Sequence, residues 1–90
     1  MRYTCEGHEP VEACDMHEAG ALFAAQMARA SYGADGRVRA CHAESFARDG
    51  SHAEFSAFIG RPRAQGDGWL AGENVRFVVF AAKEMPVAEE

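Results

Sequence analysis

The sequence predicts an α+β fold in which one long helix packs on a mainly antiparallel sheet of three or four strands, in the order β-α-β-β-β. Apolar residues recur with the period of a helix only in residues 15–33. Apolar and polar residues alternate on both sides of a turn signal at residues 48–50, and a strongly apolar run begins at Asn74. Because the chain has 90 residues, we expect a single domain spanning residues 1–90.

A short first strand is predicted over residues 1–6, where Met1, Tyr3 and Cys5 would share one buried face. Residues 8–14 are predicted to be a loop, because a proline and acidic residues interrupt the alternation there. This loop leads directly to the predicted helix.

The predicted helix has a marked start and a marked end. Asp15 is a typical N-cap residue and Glu18 lies three residues later, which is the spacing of a capping box. Gly33 can adopt the left-handed conformation that ends a helix. Between these positions, the side chains expected to form one apolar stripe towards the sheet are Ala19, Leu22, Phe23, Met27 and Ala30.

The strands on either side of residues 48–50 are expected to form a hairpin, for which there are two registers. A two-residue loop would bury His42 and Glu44 among apolar residues of the following strand, which is costly without polar partners. A three-residue loop with Gly50 in the left-handed conformation avoids this cost and is preferred. Its inner face contains Cys41, Ala43, Ser45, Ala47, Ala53, Phe55, Ala57 and Ile59.

The preferred register leaves Phe46 and Phe58 on a polar outer face, where they either find cover or stay exposed. Residues 61–72 contain three glycines and are expected to form a long functional or mobile connection that carries Trp69, the only tryptophan. Trp69 either marks a binding hot spot or folds back over the end of a thin core.

Residues 74–83 form the most apolar predicted strand, because valine and phenylalanine occur on both of its faces. Two apolar faces indicate cover on both sides, either from a central position in the sheet or from a second chain. One helix covers only one side of a sheet, so the other face is expected to pack against a partner or a second copy, or else Val78 and Phe80 remain exposed. Residues 87–90, which end in two glutamates, are expected to form a short, frayed acidic tail.

Fourteen acidic and nine basic residues give a net charge of −5, which disfavours direct binding to nucleic acid phosphates. Every charge between Tyr3 and Ala28 is negative, whereas six arginines lie between Arg29 and Arg63. The three cysteines are an odd number, which favours reduced thiols. Because the sequence shows neither an apolar leader nor an apolar run of membrane-spanning length, we expect a cytoplasmic protein that does not bind membranes.

Four metal-binding side chains follow the pattern C-x2-H-x5-C-x2-H, and they are Cys5, His8, Cys14 and His17. Two thiolates and two imidazoles would supply a tetrahedral zinc site. The separation between the pairs is shorter than in familiar zinc fingers, and Cys5 is more simply explained as a buried strand residue. A small zinc-stabilised domain is therefore an alternative, and no cofactor is assigned.

An enzyme hypothesis depends on a cluster of acid–base side chains on the outer face in the preferred register, namely His42, Glu44, His52 and Glu54. A flat sheet face lacks the concave, partly dry pocket that reactive groups usually occupy. The sequence also contains no serine elbow, P-loop or dinucleotide motif. We therefore predict no catalytic residue.

A short strand, a capped helix, a hairpin and a last strand follow one another in the segments RYTCEG, DMHEAGALFAAQMARASYG, RVRACHAESFARDGSHAEFSAFIG and NVRFVVFAA. In this element order, in size and in acidity, the chain resembles the small acidic phage-encoded anti-CRISPR proteins of the α/β type. The resemblance implies a non-catalytic inhibitor that docks on a type I CRISPR interference complex and blocks DNA binding or nuclease recruitment. The six central arginines depart from a uniformly acidic DNA mimic, so a mixed-charge docking face fits equally well.

The sequence therefore predicts a non-catalytic protein-binding module whose partner is a bacterial complex that binds nucleic acid. Carboxylates would offer negative charge where that partner expects phosphate, and aromatic side chains would anchor the contact. The predicted partner-binding residues are Glu9, Glu12, Asp15, Glu18, Phe46, Phe58 and Trp69. A second alternative is a small homodimeric bacterial protein.

Overall fold

The computed structural model of the protein describes residues 1–66 and 68–82. Its elements are β1 (Arg2–Thr4), β2 (Val11–Glu12), α1 (Met16–Tyr32), a 3-10 turn (Gly33–Asp35), β3 (Arg37–Phe46), β4 (His52–Pro62) and β5 (Trp69–Ala81). The strands pair antiparallel in the order β2-β1-β5-β4-β3, and α1 packs on one side of this sheet, mainly over β3 and β4. The predicted α+β class is confirmed, although the described residues form five strands instead of three or four. The end of the predicted last strand and the predicted acidic tail lie outside the described residues.

The helix begins and ends where the sequence predicts. Asp15 Oδ1 accepts a hydrogen bond from the Glu18 amide (2.9 Å), which satisfies one free N–H group of the first turn. Glu18 Oε1 accepts from the Cys14 amide (2.6 Å), one residue earlier than a capping box requires. At the other end Gly33 adopts φ 77° and donates its N–H to the carbonyl oxygen of Arg29.

The side of α1 that meets the sheet differs from the predicted apolar stripe. Leu22 and Ala30 are exposed, and Met27 is half-buried. The residues that α1 buries are Ala19, Gly20, Phe23, Ala24 and Ala28. A Cβ at Gly20 would overlap the Phe55 ring. The helix is rotated in this way because its smallest residues allow close packing on the sheet.

Between Ala40 and Ala43 of β3, the β3–β4 hairpin has the predicted register. Cys41 lies opposite Ala57, and Ala43 lies opposite Phe55. Phe55 is only 1% exposed and stacks on Phe77 of β5, with ring centroids 5.6 Å apart. The predicted inner face is therefore the core face in this part of the hairpin.

The turn of this hairpin is longer than the predicted three residues. Ala47 N–H donates to the carbonyl oxygen of His52, so residues 48–51 form the loop, and Gly50 within it is left-handed as predicted (φ 76°). A β-bulge in β3 just before Ser45 absorbs the extra residue. The side chains between this bulge and the turn therefore lie on the opposite faces from those predicted.

Residues 8–14, which were expected to form a loop, contain β2. Arg2 lies opposite Glu12, and the main chains of Met1 and Ala13 exchange hydrogen bonds in both directions. The expectation was wrong because a two-residue strand is too short for an alternating pattern to reveal it.

β4 and β5 also extend through the predicted connection of residues 61–72. Their ladder continues to the pair of Pro62 and Trp69, so the turn between them contains only residues 63–68. The expectation of a long connection without regular structure was therefore wrong, and the β4–β5 hairpin contributes to an elongated shape of 56 × 25 × 20 Å. Two glycines of this turn adopt positive φ, which supports its tight reversal.

At its carboxyl end, β5 lies between β1 and β4, so it has the central position that was one of the two alternatives predicted for it. Phe77 and Val79 are buried on the helix side, whereas Phe80 on the other side is 46% exposed. None of the helices in residues 1–66 and 68–82 combines the length and the apolar character needed to cross a membrane.

Candidate functional site

The side of the sheet opposite α1, called the outer face below, carries an aromatic patch formed by Arg39, Phe58 and Trp69. The rings of Phe58 and Trp69 meet edge to face with centroids 5.7 Å apart. The guanidinium carbon of Arg39 lies 5.6 Å from the centre of the Phe58 ring, which is a cation–π distance. Both rings are half-buried and Arg39 is exposed, so the patch leaves a cation and parts of two aromatic rings open to solvent.

Strand alternation and a nearby glycine position Phe58. Ala57 and Ile59 point into the core, so Phe58 between them points to the outer face. A Cβ at Gly72 would overlap the Phe58 ring, which shows that the ring lies directly over this glycine of the neighbouring strand. The ring is thereby held against the sheet instead of extending into solvent.

Irregular pairing positions the other two members of the aromatic patch. A register shift between Val38 and Ala40 leaves Arg39 without a directly opposite residue in β4. A second shift, next to Pro62, precedes its pairing with Trp69. Arg39 comes from β3 and Trp69 from β5, which are the two strands that flank Phe58 of β4.

A second group on the outer face, called the polar cluster below, consists of His42, Glu44 and Ser56. The Ser56 hydroxyl donates to Glu44 Oε2 (2.6 Å), and His42 Nε2 lies 3.0 Å from both the Ser56 hydroxyl and Glu44 Oε2. The Ser56 hydrogen bond, supported by His42, lowers the pKa of the Glu44 carboxyl below its ordinary value. The carboxylate is therefore the stable form of Glu44 in the cluster.

The polar cluster does not have the geometry of a nucleophile–base relay. In such a relay the serine and the acid contact different nitrogens of the histidine ring, whereas here Ser56 and Glu44 both contact Nε2 of His42. Of the other two predicted acid–base residues, His52 packs beside Phe80 with centroids 5.6 Å apart and bonds to the Ser51 hydroxyl. Of the four predicted acid–base residues, His42 and Glu44 are therefore the pair that the structure joins directly.

Three of the four predicted acidic contact residues take part in local structure. Asp15 and Glu18 hold the first turn of α1 through the hydrogen bonds described above. Glu12 lies 3.4 Å from the Arg2 guanidinium and 3.7 Å from the terminal ammonium group. The charge of Glu12 is thus partly neutralised by its own chain, and Asp15 and Glu18 are already engaged in hydrogen bonds.

The fourth acidic residue, Glu9, has an exposed side chain. The side-chain amide of Gln26 in α1 bonds to both the N–H and the C=O of Glu9, which fixes this part of the chain against the helix. Glu9 is therefore the predicted acidic residue best placed to meet a partner.

Phe46 was expected on the outer face, and the structure places it on the helix side instead. The bulge before Ser45 turns Phe46 towards α1, where its ring meets the His17 ring with centroids 5.1 Å apart. Of the three predicted aromatic contacts, only Phe58 and Trp69 come together. Trp69 also does not plug the core, and the adjacent Leu70 is 63% exposed.

The four residues of the predicted zinc pattern are dispersed. Cys5 is buried in the core and Cys14 is exposed beside the helix start, while the rings of His8 and His17 pack against different phenylalanines. Residues 1–66 and 68–82 contain no group of three or more histidine, cysteine, aspartate or glutamate side chains arranged to hold a metal ion. The structure thus gives no support to the zinc alternative.

The surroundings of the three thiols favour their protonated form. Burial raises the pKa of Cys5 and of Cys41, and a hydrogen bond with Glu18 raises that of Cys14. Nucleophilic attack and metal binding both require the thiolate. These cysteines are therefore not activated groups.

Sequence reasoning missed Arg39 and Ser56. The place of Arg39 depends on a bulge for which the sequence has no signal. Ser56 was predictable, because the preferred hairpin register already places it opposite His42.

Comparison of the chain with known protein families, curated proteins and solved structures finds no match in any of them.

Proposed function

We propose that the protein is a non-catalytic protein-binding module that contacts its partner through the outer face, centred on the aromatic patch. The observation that carries this proposal is the packing of the exposed Arg39 and the half-buried rings of Phe58 and Trp69 into one group on a sheet whose other side is closed by α1. Tryptophan and arginine are the residues most enriched at binding hot spots. A patch held on strands also loses little conformational freedom on binding.

The non-catalytic form of the proposal is supported by the polar cluster and the thiols. His42 is contacted through the same nitrogen by Ser56 and Glu44, so it has no relay partner among them. The raised pKa values of the cysteines disfavour a thiolate nucleophile.

The specific partner that we propose is a type I CRISPR interference complex, with the protein acting as a phage-encoded inhibitor in the host bacterial cytoplasm. This choice is supported by the resemblance in size, acidity and element order. The inhibitor would bind the protein subunits of that complex, without direct contact to nucleic acid or membrane. Because Glu12, Asp15 and Glu18 are engaged within the chain, the aromatic patch supplies the main contact, and Glu9 adds long-range attraction.

Trp69→Ala tests the patch directly. Binding to the isolated interference complex is measured by surface plasmon resonance, with Leu70→Ala as the matched control, because Leu70 is the adjacent, more exposed residue. We expect Trp69→Ala to weaken binding by about tenfold or more, the usual effect at a hot spot, and Leu70→Ala to change it by less than about threefold. Equal effects of both variants, or no binding of the wild-type chain, would contradict the proposal.

A charge reversal tests the electrostatic part. Glu12 and Glu18 are poor positions, because their reversal also disturbs an ion pair or the helix start. Glu9→Lys is expected to slow association at low salt, with the difference from wild type disappearing at high salt. If the association rate depends on neither the substitution nor salt, Glu9 does not add long-range attraction to the partner.

A further inference from the structure

β5 carries a long edge that no other described strand covers. It pairs with β4 along its whole length, but with β1 only at Phe80 and Ala81. Ala82 N–H donates towards β1, so by strand alternation the main-chain groups of Gly72, Asn74 and Arg76 point to the same side. All three residues are exposed. Their N–H and C=O groups form a ready template for another strand.

The other edge of the sheet, formed by β3, does not offer such a template. Two register shifts interrupt β3, between Val38 and Ala40 and between Ala43 and Ser45. Bulges of this kind bend an edge strand and prevent regular pairing. On β5 the only register shift lies next to the Pro62–Trp69 pair, so residues 71–78 are regular.

We propose that a second copy of the chain adds to this β5 edge, antiparallel and related by a twofold axis at Gly72, to form one continuous sheet. In such a pairing, residues whose main chains point outwards lie opposite one another, so the twofold axis falls on a residue and not between two neighbouring residues. With the axis at Gly72, Glu73 of one copy lies opposite Ala71 of the other. Asn74 then lies close to Leu70.

Steric and electrostatic arguments select this axis among its neighbours. An axis at Glu73 or at Arg76 would place identical charges opposite each other, which is unfavourable across a strand pair. An axis at Asn74 would push the 63–68 turn of one copy onto β1 of the other, because β1 occupies the edge beside Phe80. The axis at Gly72 avoids both problems.

The second copy is favoured over a foreign strand because the aromatic patch is complementary to itself at this axis. Each Phe58 ring lies over its own Gly72, so the twofold axis brings the two rings next to each other. The outer faces of the two copies point the same way in a sheet joined edge to edge, and their aromatic patches merge. This inference rests on the β5 edge, and it does not require the partner proposed above.

Asn74→Pro tests the inference, with Asn74→Thr as the matched control. The Asn74 N–H points away from β4, so proline there removes the outward donor without breaking the β4–β5 ladder. We expect sedimentation velocity to show a concentration-dependent dimer for the wild type and for Asn74→Thr, and a monomer at every concentration for Asn74→Pro. Circular dichroism and thermal melting show whether the proline variant keeps its fold.

Amide hydrogen exchange of the unmodified chain gives a second, independent measurement. The amides of Gly72 and Asn74 are expected to become protected as concentration rises, while amides on the free edge of β3 stay unprotected. A wild-type monomer at every concentration would overturn the inference, and so would edge amides whose protection does not change with concentration. Loss of CRISPR-complex binding with dimerisation intact would count against the proposed function alone.

Discussion

The two faces of the sheet are formed by the same strands, but α1 covers one of them and the other is left largely open to solvent. On the helix side β4 contributes Ala53, Phe55, Ala57 and Ile59, none more than 3% exposed, and small residues of α1 pack directly on them. On the outer face the alternate residues of β4 are His52, Glu54, Ser56 and Phe58, which are exposed or half-buried. The helix side therefore provides most of the stability of the fold. The outer face carries polar and aromatic side chains that can be replaced with little loss of stability.

The largest expected difference in stability between the two faces is that between alanine substitutions at two phenylalanines of β4. Phe55→Ala empties a buried site that stacks on Phe77, and we expect it to lower the free energy of unfolding by about 3–5 kcal/mol. Phe58→Ala, on the outer face, is expected to lower it by only about 1 kcal/mol. Urea denaturation measures both. If Phe55→Ala does not fold, Phe55→Leu is measured instead. An equal loss of unfolding free energy at Phe55 and Phe58 would contradict the expectation, because it would mean that the outer face stabilises the fold as much as the core does.

Close packing of α1 is tested by Gly20→Ala. Alanine favours a helix over glycine by about 1 kcal/mol, but the added Cβ would overlap the buried Phe55 ring. We expect a net loss of about 1–3 kcal/mol from overpacking. The double variant with Phe55→Leu should recover most of this loss if crowding is the cause. A stabilised Gly20→Ala protein would mean that the helix lies further from the sheet.

Substitutions of Asp15 at the start of α1 are expected to have a smaller effect on stability. They also distinguish its role as the helix N-cap from its predicted role as a partner contact. Asp15→Ala removes the acceptor for the Glu18 amide and is expected to cost about 1 kcal/mol, whereas Asp15→Asn keeps an acceptor and should cost less. Thermal unfolding measures the difference. If Asp15→Asn weakens partner binding at unchanged stability, Asp15 also acts as a contact residue, as the sequence suggested.

The smallest expected effect belongs to the outer face and depends on pH. The hydrogen bond from Ser56 lowers the pKa of Glu44, so the stabilisation is complete above the unfolded-state pKa and is lost as the pH falls through the lower folded-state pKa. Ser56→Ala should raise the pKa of Glu44 towards its ordinary value. A titration of the Glu44 carboxyl followed by NMR measures this, with Ser45→Ala as the control. An unchanged midpoint in Ser56→Ala would show that the polar cluster does not form in solution.

The sequence by itself determined the α+β class, the bounds of α1 and the inner face of β4. These features follow from interactions within a few residues. Asp15 caps the next turn, Gly33 reverses the chain, and alternation assigns Ala57 and Phe58 to opposite faces.

Only the tertiary structure decided the rotation of α1, the presence of β2, the bulges of β3 and the length of the β4–β5 ladder. Each of these depends on contacts between segments that are distant along the chain. One bulge in β3 was enough to move Phe46 to the helix side, and another was enough to free Arg39 for the aromatic patch. The aromatic patch combines Phe58 and Trp69, which the sequence singled out, with Arg39, which only strand pairing placed beside them. Local alternation determines which residues of a strand share a face, but the pairing between strands determines which neighbours each side chain contacts.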